Sequence, residues 1–292
     1  MNGLLVVDKP GGMTSHDVVA KIREMTGERS VGHLGTLDPM ATGVLPLLLG
    51  RFTRLAQFFS AAEKSYSGSI RFGFATTTYD AEGEPCEPRS AAHLSLREVR
   101  AAAAHFRGAV DQLPPSFSAK KIAGTPAYKL ARAGKPVVLK PSPIYIHSFE
   151  ILALEGDRAQ FTMSLSSGGY VRSVAHDLGQ KIGCGAHLTS LRRTRAGAFT
   201  LADARSLEQV ADSSGDSRSL EMLCVHPRLL VPEFPSVTGD EAAIGRLRNG
   251  QQANLSEFSP AGMVKVFASQ RGLVAIAKRV AGTLFQPVVV LG

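Results

Sequence analysis

The sequence predicts a mixed α/β body followed by a small β-rich module, and three observations carry that expectation. Over roughly the first 200 positions the apolar residues switch repeatedly between strand and helix spacing. Segment 211–218, ADSSGDSR, is small, polar and without period, as a linker would be. Beyond Leu229 the runs VKVFAS, LVAIAKRV and LFQPVVVL follow one another closely, the pattern of a compact β module of roughly 60 residues.

Taken in order, Gly3 to Asp8 reads as a buried strand, and the turn Lys9-Pro10-Gly11-Gly12 leads into a helix capped by Thr14 or Ser15. Val18, Val19, Ile22 and Met25 recur at helical spacing, with Gly27 as the stop. Arg51 to Glu63 is expected to be helical. Residues 64 to 73 alternate, so Tyr66, Gly68, Ile70 and Phe72 share the inward face of a strand. Residues 80 to 93 read as a loop. Ser95 and Glu98 form a capping box for a helix reaching Phe106. A Pro- and Lys-rich passage then reads as an arm inserted at about residues 107–142, with a short helix opened by Thr125-Pro126 and ended by Gly134. Ile144 to Leu154 and Ala159 to Leu165 alternate like paired strands, and Val171, Val174, Leu178 and Ile182 line one side of a helix. A short helix over Asp240 to Asn249 opens the module.

Composition limits what such a protein does. The 292 residues suffice for two domains, and 44% hydrophobic with 20% charged residues excludes a wholly disordered chain. Thirty-three Lys and Arg against 25 Asp and Glu give a net charge of +8, which favours a polyanionic partner, nucleic acid foremost. Cys86, Cys184 and Cys224 suit neither a disulfide framework nor a zinc ribbon, and Cys184 with His187 is a metal pair lacking further ligands. The first apolar run, Leu4 to Val7, meets Asp8 and Lys9 at once, unlike a signal peptide, and no run approaches the ~18 apolar residues of a membrane helix. A cytoplasmic protein is the expectation.

Candidate chemistry centres on GHLGTLDPMATGVL, residues 32 to 45, where one carboxylate, Asp38, precedes a proline. Asp before Pro at a helix start is a common cap, so capping and catalysis are both open. Phosphate-cradling glycine motifs are absent from the sequence, which argues against nucleotide-triphosphate chemistry. In SSGGYVR, Arg172 falls in the first turn of a helix, where the macrodipole disfavours a cation, so a carboxylate partner is expected. Arg192, Arg193 and Arg195 read as a phosphate-facing stripe. Lys120, Lys121, Lys129, Arg132, Lys135 and Lys140 on the arm, interleaved with Phe117 and Tyr128, read as an RNA-binding surface.

Lys9-Pro10, GHLGTLDPMATGVL, Lys64 to Tyr66, PPSFSAKKIAG, YKLARAG, SSGGYVRSVAHDLG and LTSLRRT together resemble the bacterial tRNA pseudouridine-55 synthase family of the TruB type, and LRNGQ at 247–251 resembles the start of its PUA-type domain. The resemblance implies an α/β pseudouridine-synthase fold around a mixed β-sheet, with a catalytic domain over 1–228 and a PUA-type RNA-binding domain over 229–292. It implies Asp38 as the essential aspartate. Tyr66 would stack on the target uracil, Arg172 would pair with Asp38, and Leu191 would wall the pocket. His33 would help displace the uridine, with Tyr170 and Lys9 beside them. The implied partner is the T-arm of tRNA, bound by a monomer without cofactor, metal or membrane. Thr125-Pro126 stands where the family usually carries basic residues. A nucleoside-directed glycosidase and a non-catalytic RNA-binding protein are the alternatives, although a glycosidase usually employs two carboxylates.

Overall fold

A computed structural model describes the chain except residues 87–92, 119 and 123 and the side chain of Arg132. The body runs β1 (Gly3–Lys9), α1 (Ser15–Thr26), β2 (Val31–His33), β3 (Thr42–Leu49), a 3-10 helix (Gly50–Phe58), β4 (Lys64–Phe72), α2 (Leu96–Ala104) and β5 (Gly108–Gln112). The arm carries β6 (Lys121–Ile122), β7 (Thr125–Pro126) and α3 (Ala127–Arg132). Then come β8 (Ser142–Glu155), β9 (Arg158–Leu165), α4 (Val171–Ile182), β10 (Ala186–Ala196), β11 (Phe199–Thr200), α5 (Leu207–Asp212) and α6 (Ser217–Leu223). The module comprises β12 (Ser236–Thr238), α7 (Glu241–Arg248), β13 (Ala253–Asn254), β14 (Met263–Phe267), β15 (Leu273–Ala281) and β16 (Leu284–Val290).

Among the described residues the main sheet is mixed, with the order β1-β3-β10-β4-β9-β8-β5, β2 at the side of β3 and β11 at the side of β10. Its pairs are antiparallel except β3 with β10, which touch in parallel through Arg192 opposite Thr42 and Arg193 opposite Gly43. Gly68 allows β4 and β10 to approach where their register shifts, since a Cβ there would lie 2.2 Å from the Ser190 carbonyl oxygen.

Alternation explains why the first strands read as unbroken apolar runs. Leu5 and Val7 face the core under α1 and α4, whereas Leu4 and Val6 face a second apolar layer shared with Phe267, Ile276 and Val289 of the module. A strand buried on both faces has no polar side to show. The second layer also contains Phe52 and Leu55 of the 3-10 helix, packed beside Phe58. Those three residues are spaced by three, the repeat of a 3-10 helix, and the expected helix over 51–63 is therefore tighter and shorter.

Local signals place most helix ends. Thr14 and Asp17 form a complete capping box on α1, and Gly27 ends it in the left-handed conformation at φ 66°. Ser95 and Glu98 do the same for α2. The linker expected at 211–218 is instead a helix–turn–helix: Asp216 caps α6, and Val210 and Leu220 anchor the pair in the main core. Of the loop expected over 80–93, residues 87–92 lie outside the described residues.

Candidate active site

Asp38 sits in a turn between β2 and β3, with the Ala41 N–H donating to the Asp38 carbonyl at 3.0 Å. No helix starts at Pro39, so the capping role that the sequence left open is not taken up. The turn is fastened from behind. The Leu37 N–H donates to Ser15 Oγ at 2.8 Å, and the Gly12 N–H donates to the Pro39 carbonyl at 2.9 Å. Lys9, fully buried, donates its ammonium protons to the carbonyls of Pro10, Met13 and Pro39. Burial pulls the Lys9 amine down to about 8, with the Asp38 charge opposing the shift.

The Asp38 carboxylate is held by Arg172, whose Nε and Nη2 each donate to one of its oxygens at 2.8 Å. Arg172 is 4% exposed and also donates to the carbonyls of Thr78, at 2.9 Å, and Phe117, at 3.0 Å. A second carboxylate, Asp80, lies 3.5 Å from Arg172 Nη1. Two acids thus offset the unfavourable place of a cation at the start of α4, whose first turn has no acid of its own. Asp38 is the outward member of the set, with its side chain 31% exposed, while Asp80 is at 4%.

Tyr66, Leu191 and Leu37 belong to the same buried cluster, the main core of the body. Burial raises the Tyr66 phenol above its ordinary value, with the nearby Arg193 charge opposing. Tyr170, the residue before α4, has its backbone clamped by the Gln112 amide, which accepts from the Tyr170 N–H at 2.8 Å and donates to its carbonyl at 2.9 Å. Burial raises the Tyr170 phenol as well. His33, at the end of β2, lies beside the turn with its imidazole pushed below the usual value by burial and by Arg193. Its buried Nδ1 has no hydrogen-bond partner among the described residues.

One expected RNA contact needs revision. Arg193 is fully buried and does not face phosphate: β10 turns it inward, where it donates to the carbonyls of Val44, Thr36 and Gly35 at 2.7, 3.3 and 3.0 Å. Its neighbour Arg192 points to the other face, 38% exposed, and makes a two-pronged pair with Asp8 at 3.0 and 2.7 Å. Lys120 bonds the Ser142 hydroxyl at the foot of the arm, whereas Lys121 and Lys129 are exposed. The Arg132 side chain lies outside the described residues.

Sequence reasoning missed Asp80, Thr78 and Gln112. The available signal was TTTYD directly after β4, where Tyr79 adopts φ 66°, a left-handed conformation unusual for a bulky residue. That bend puts the Thr78 carbonyl and the Asp80 carboxylate on Arg172, and Tyr79 stacks on His176 with ring centroids 3.8 Å apart. Cys184 and His187 are not a ligand pair: the thiol is bonded to the Gly185 carbonyl, and the imidazole Nδ1 lies 3.1 Å from the Phe74 carbonyl.

A sequence model described as the N-terminal domain of TruB family pseudouridylate synthase matches residues 23–171, and one described as the tRNA pseudouridylate synthase B C-terminal domain matches 172–225. The chain belongs to the TruB family. It is 45% identical to the tRNA pseudouridine synthase B of Solibacter usitatus (strain Ellin6076) over 294 residues, covering all of both chains. It is 43% identical to that of Mycobacteroides abscessus over 272 residues, 91% of this chain and 88% of the relative. The fold is that of a Cbf5–Nop10–Gar1 complex structure, with a TM-score of 0.72 and 24% identity over 99% of this chain and 85% of the matched one. As a TruB-family member the chain is a pseudouridine synthase, an isomerase acting on uridine. Of the candidate residues, Asp38 and Tyr66 fall in the first matched region and Arg172 and Leu191 in the second. No described helix is long and apolar enough to cross a membrane.

Proposed function

We propose that this TruB-family enzyme isomerises the T-loop uridine of tRNA at position 55 of tRNA numbering, with Asp38 as its essential carboxylate. The observation that supports this reading best is the two-pronged Asp38–Arg172 pair, which holds a partly exposed carboxylate within electrostatic reach of the buried Tyr66 phenol. In the reaction the N1–C1′ bond breaks, the uracil turns, and a C5–C1′ bond forms. The C5 proton leaves and N1 takes one up, so atoms and electrons balance with no net redox change. Asp38 serves as a nucleophile at sugar or base, or as a base toward the 2′ proton. Arg172 orients it in either role.

The target base leaves its stack to reach the site, and Tyr66 and Leu191 supply the surface that replaces its former neighbours. His33, whose ring nitrogen is unpartnered beside the turn, assists that displacement, and Tyr170 lines the entrance. Arm residues Lys120, Lys121, Lys129 and Arg132 hold the T-arm, and Arg192, partly exposed on β10, adds a further cation. The chain acts as a monomer in the cytoplasm. Residues 1–228 do the chemistry and residues 229–292 add RNA affinity while covering the second face of the sheet.

Asp38→Asn tests the reading, because the amide keeps the shape but lacks the anionic oxygen. The variant is expected to bind a T-arm transcript normally and to release no tritium from C5-labelled uridine. Near-normal release by folded D38N would overturn the role of Asp38, and free uracil as product would mark a glycosidase.

A further inference from the structure

Arg193 is among the largest fully buried side chains, and among the described residues no carboxylate pairs with it. Its three nitrogens donate to carbonyls on both sides of Asp38: Gly35 and Thr36 ahead of it, Val44 behind it. Gly35 and Thr36 lie outside any strand, so their carbonyls have no ladder partner and would be costly to leave unpaired. Arg193 is paired with Tyr66 across the β4–β10 ladder, so the two side chains share one face of the sheet, and the Arg193 charge opposes the rise that burial imposes on the Tyr66 phenol. Its backbone is fixed too. Gly43 has φ 101°, and a Cβ there would lie 2.2 Å from the Arg193 carbonyl oxygen, so the parallel contact of β3 and β10 requires glycine.

A buried cation with no carboxylate in contact is an expensive way to fill space, and an apolar side chain would pack there at lower cost. A planar fork with five donors, however, is suited to gathering several acceptors at fixed angles. We propose that Arg193 is a positioning residue that locks the Asp38 turn and the Tyr66 ring in one relation, so that carboxylate and stacking surface close on the same nucleobase. This inference rests on the catalytic reading of Asp38 given above. It assigns to Arg193 an inward task in place of the phosphate contact that its sequence neighbours suggested.

The test uses the full chain with Arg193→Lys and Arg193→Met, each alone and combined with Tyr66→Phe. Three readouts are taken: affinity for a tRNA transcript, the single-turnover rate of tritium release, and the pH titration of Tyr66 followed by 13Cζ-tyrosine NMR. Both single variants are expected to bind tRNA as the parent does and to lose about 100-fold in single-turnover rate, the scale of a misplacement of about 1 Å. Tyr66 should titrate higher in R193M, since the charge that opposes burial is gone. Adding Y66F should cost less than it does in the parent, because the two residues act together. An unchanged rate in a folded variant would overturn the proposal, and so would an unmoved Tyr66 titration or strictly additive losses. If neither variant folds, Arg193 is a determinant of the fold and the positioning role is wrong. The Tyr66 signal is read without Asp38, so an active D38N would sink the catalytic reading and still leave the Arg193–Tyr66 link decided.

Discussion

The floor of the site and the inserted arm are both rich in cations, and they use them in opposite ways. In the floor, Lys9, Arg172 and Arg193 are between 0 and 4% exposed, and each donates to backbone carbonyls. On the arm, Lys121, Lys129, Lys135 and Lys140 are exposed. Residue type is therefore no guide to what a cation does here. A buried cation shapes the backbone around Asp38, whereas a solvated one is available to an incoming polyanion. The two regions meet where Arg172 donates to the Phe117 carbonyl at the root of the arm.

The sharpest way to break this contrast is to remove a floor cation. Arg172→Met leaves Asp38 and Asp80 without their counter-charge and two carbonyls without a donor. It is expected to lower stability by about 3 kcal/mol, toward the lower end of the cost of breaking a buried pair because Asp38 is partly exposed. Urea denaturation measures it, and a loss below about 0.5 kcal/mol, the range of an ordinary surface substitution, would contradict the floor's structural role.

Acid sharpens the contrast further. His33 has its proton affinity lowered by burial, so below pH ~6.5 the unfolded chain takes up a proton that the folded chain resists. Stability therefore falls as pH drops from that point toward the lowered folded value, and His33→Asn should make this part of the decline shallower. The arm has no histidine over 107–142. Identical pH slopes for H33N and parent in stepped-pH urea denaturation would refute the assignment.

The mildest change belongs to the arm. Lys121→Ala with Lys129→Ala should leave stability within about 0.5 kcal/mol, weaken tRNA binding, and reduce the salt dependence of log affinity by about 1 per lysine removed. An unaltered salt slope in filter binding would show that these lysines do not meet phosphate.

What the sequence determined by itself is what depends on near neighbours in the chain. The capping box at Ser95, the helix start at Thr14 or Ser15 and the alternation that turns Tyr66 inward were legible because three- or two-residue periods decide them. The motif around Asp38 was legible too, although whether the aspartate caps a helix was settled only when a strand followed it. Tertiary structure decided which cations are buried. Arg192 and Arg193 are adjacent on β10, so the pleat points them to opposite faces, but the pairing of β10 with β4, Arg193 opposite the inward Tyr66, decides that Arg192 turns to Asp8 and Arg193 to the Asp38 turn. The bend at Tyr79 that brings Asp80 to Arg172 likewise joins segments 92 positions apart. Pairing partners so distant are selected by the closure of the whole sheet, and no local period encodes them.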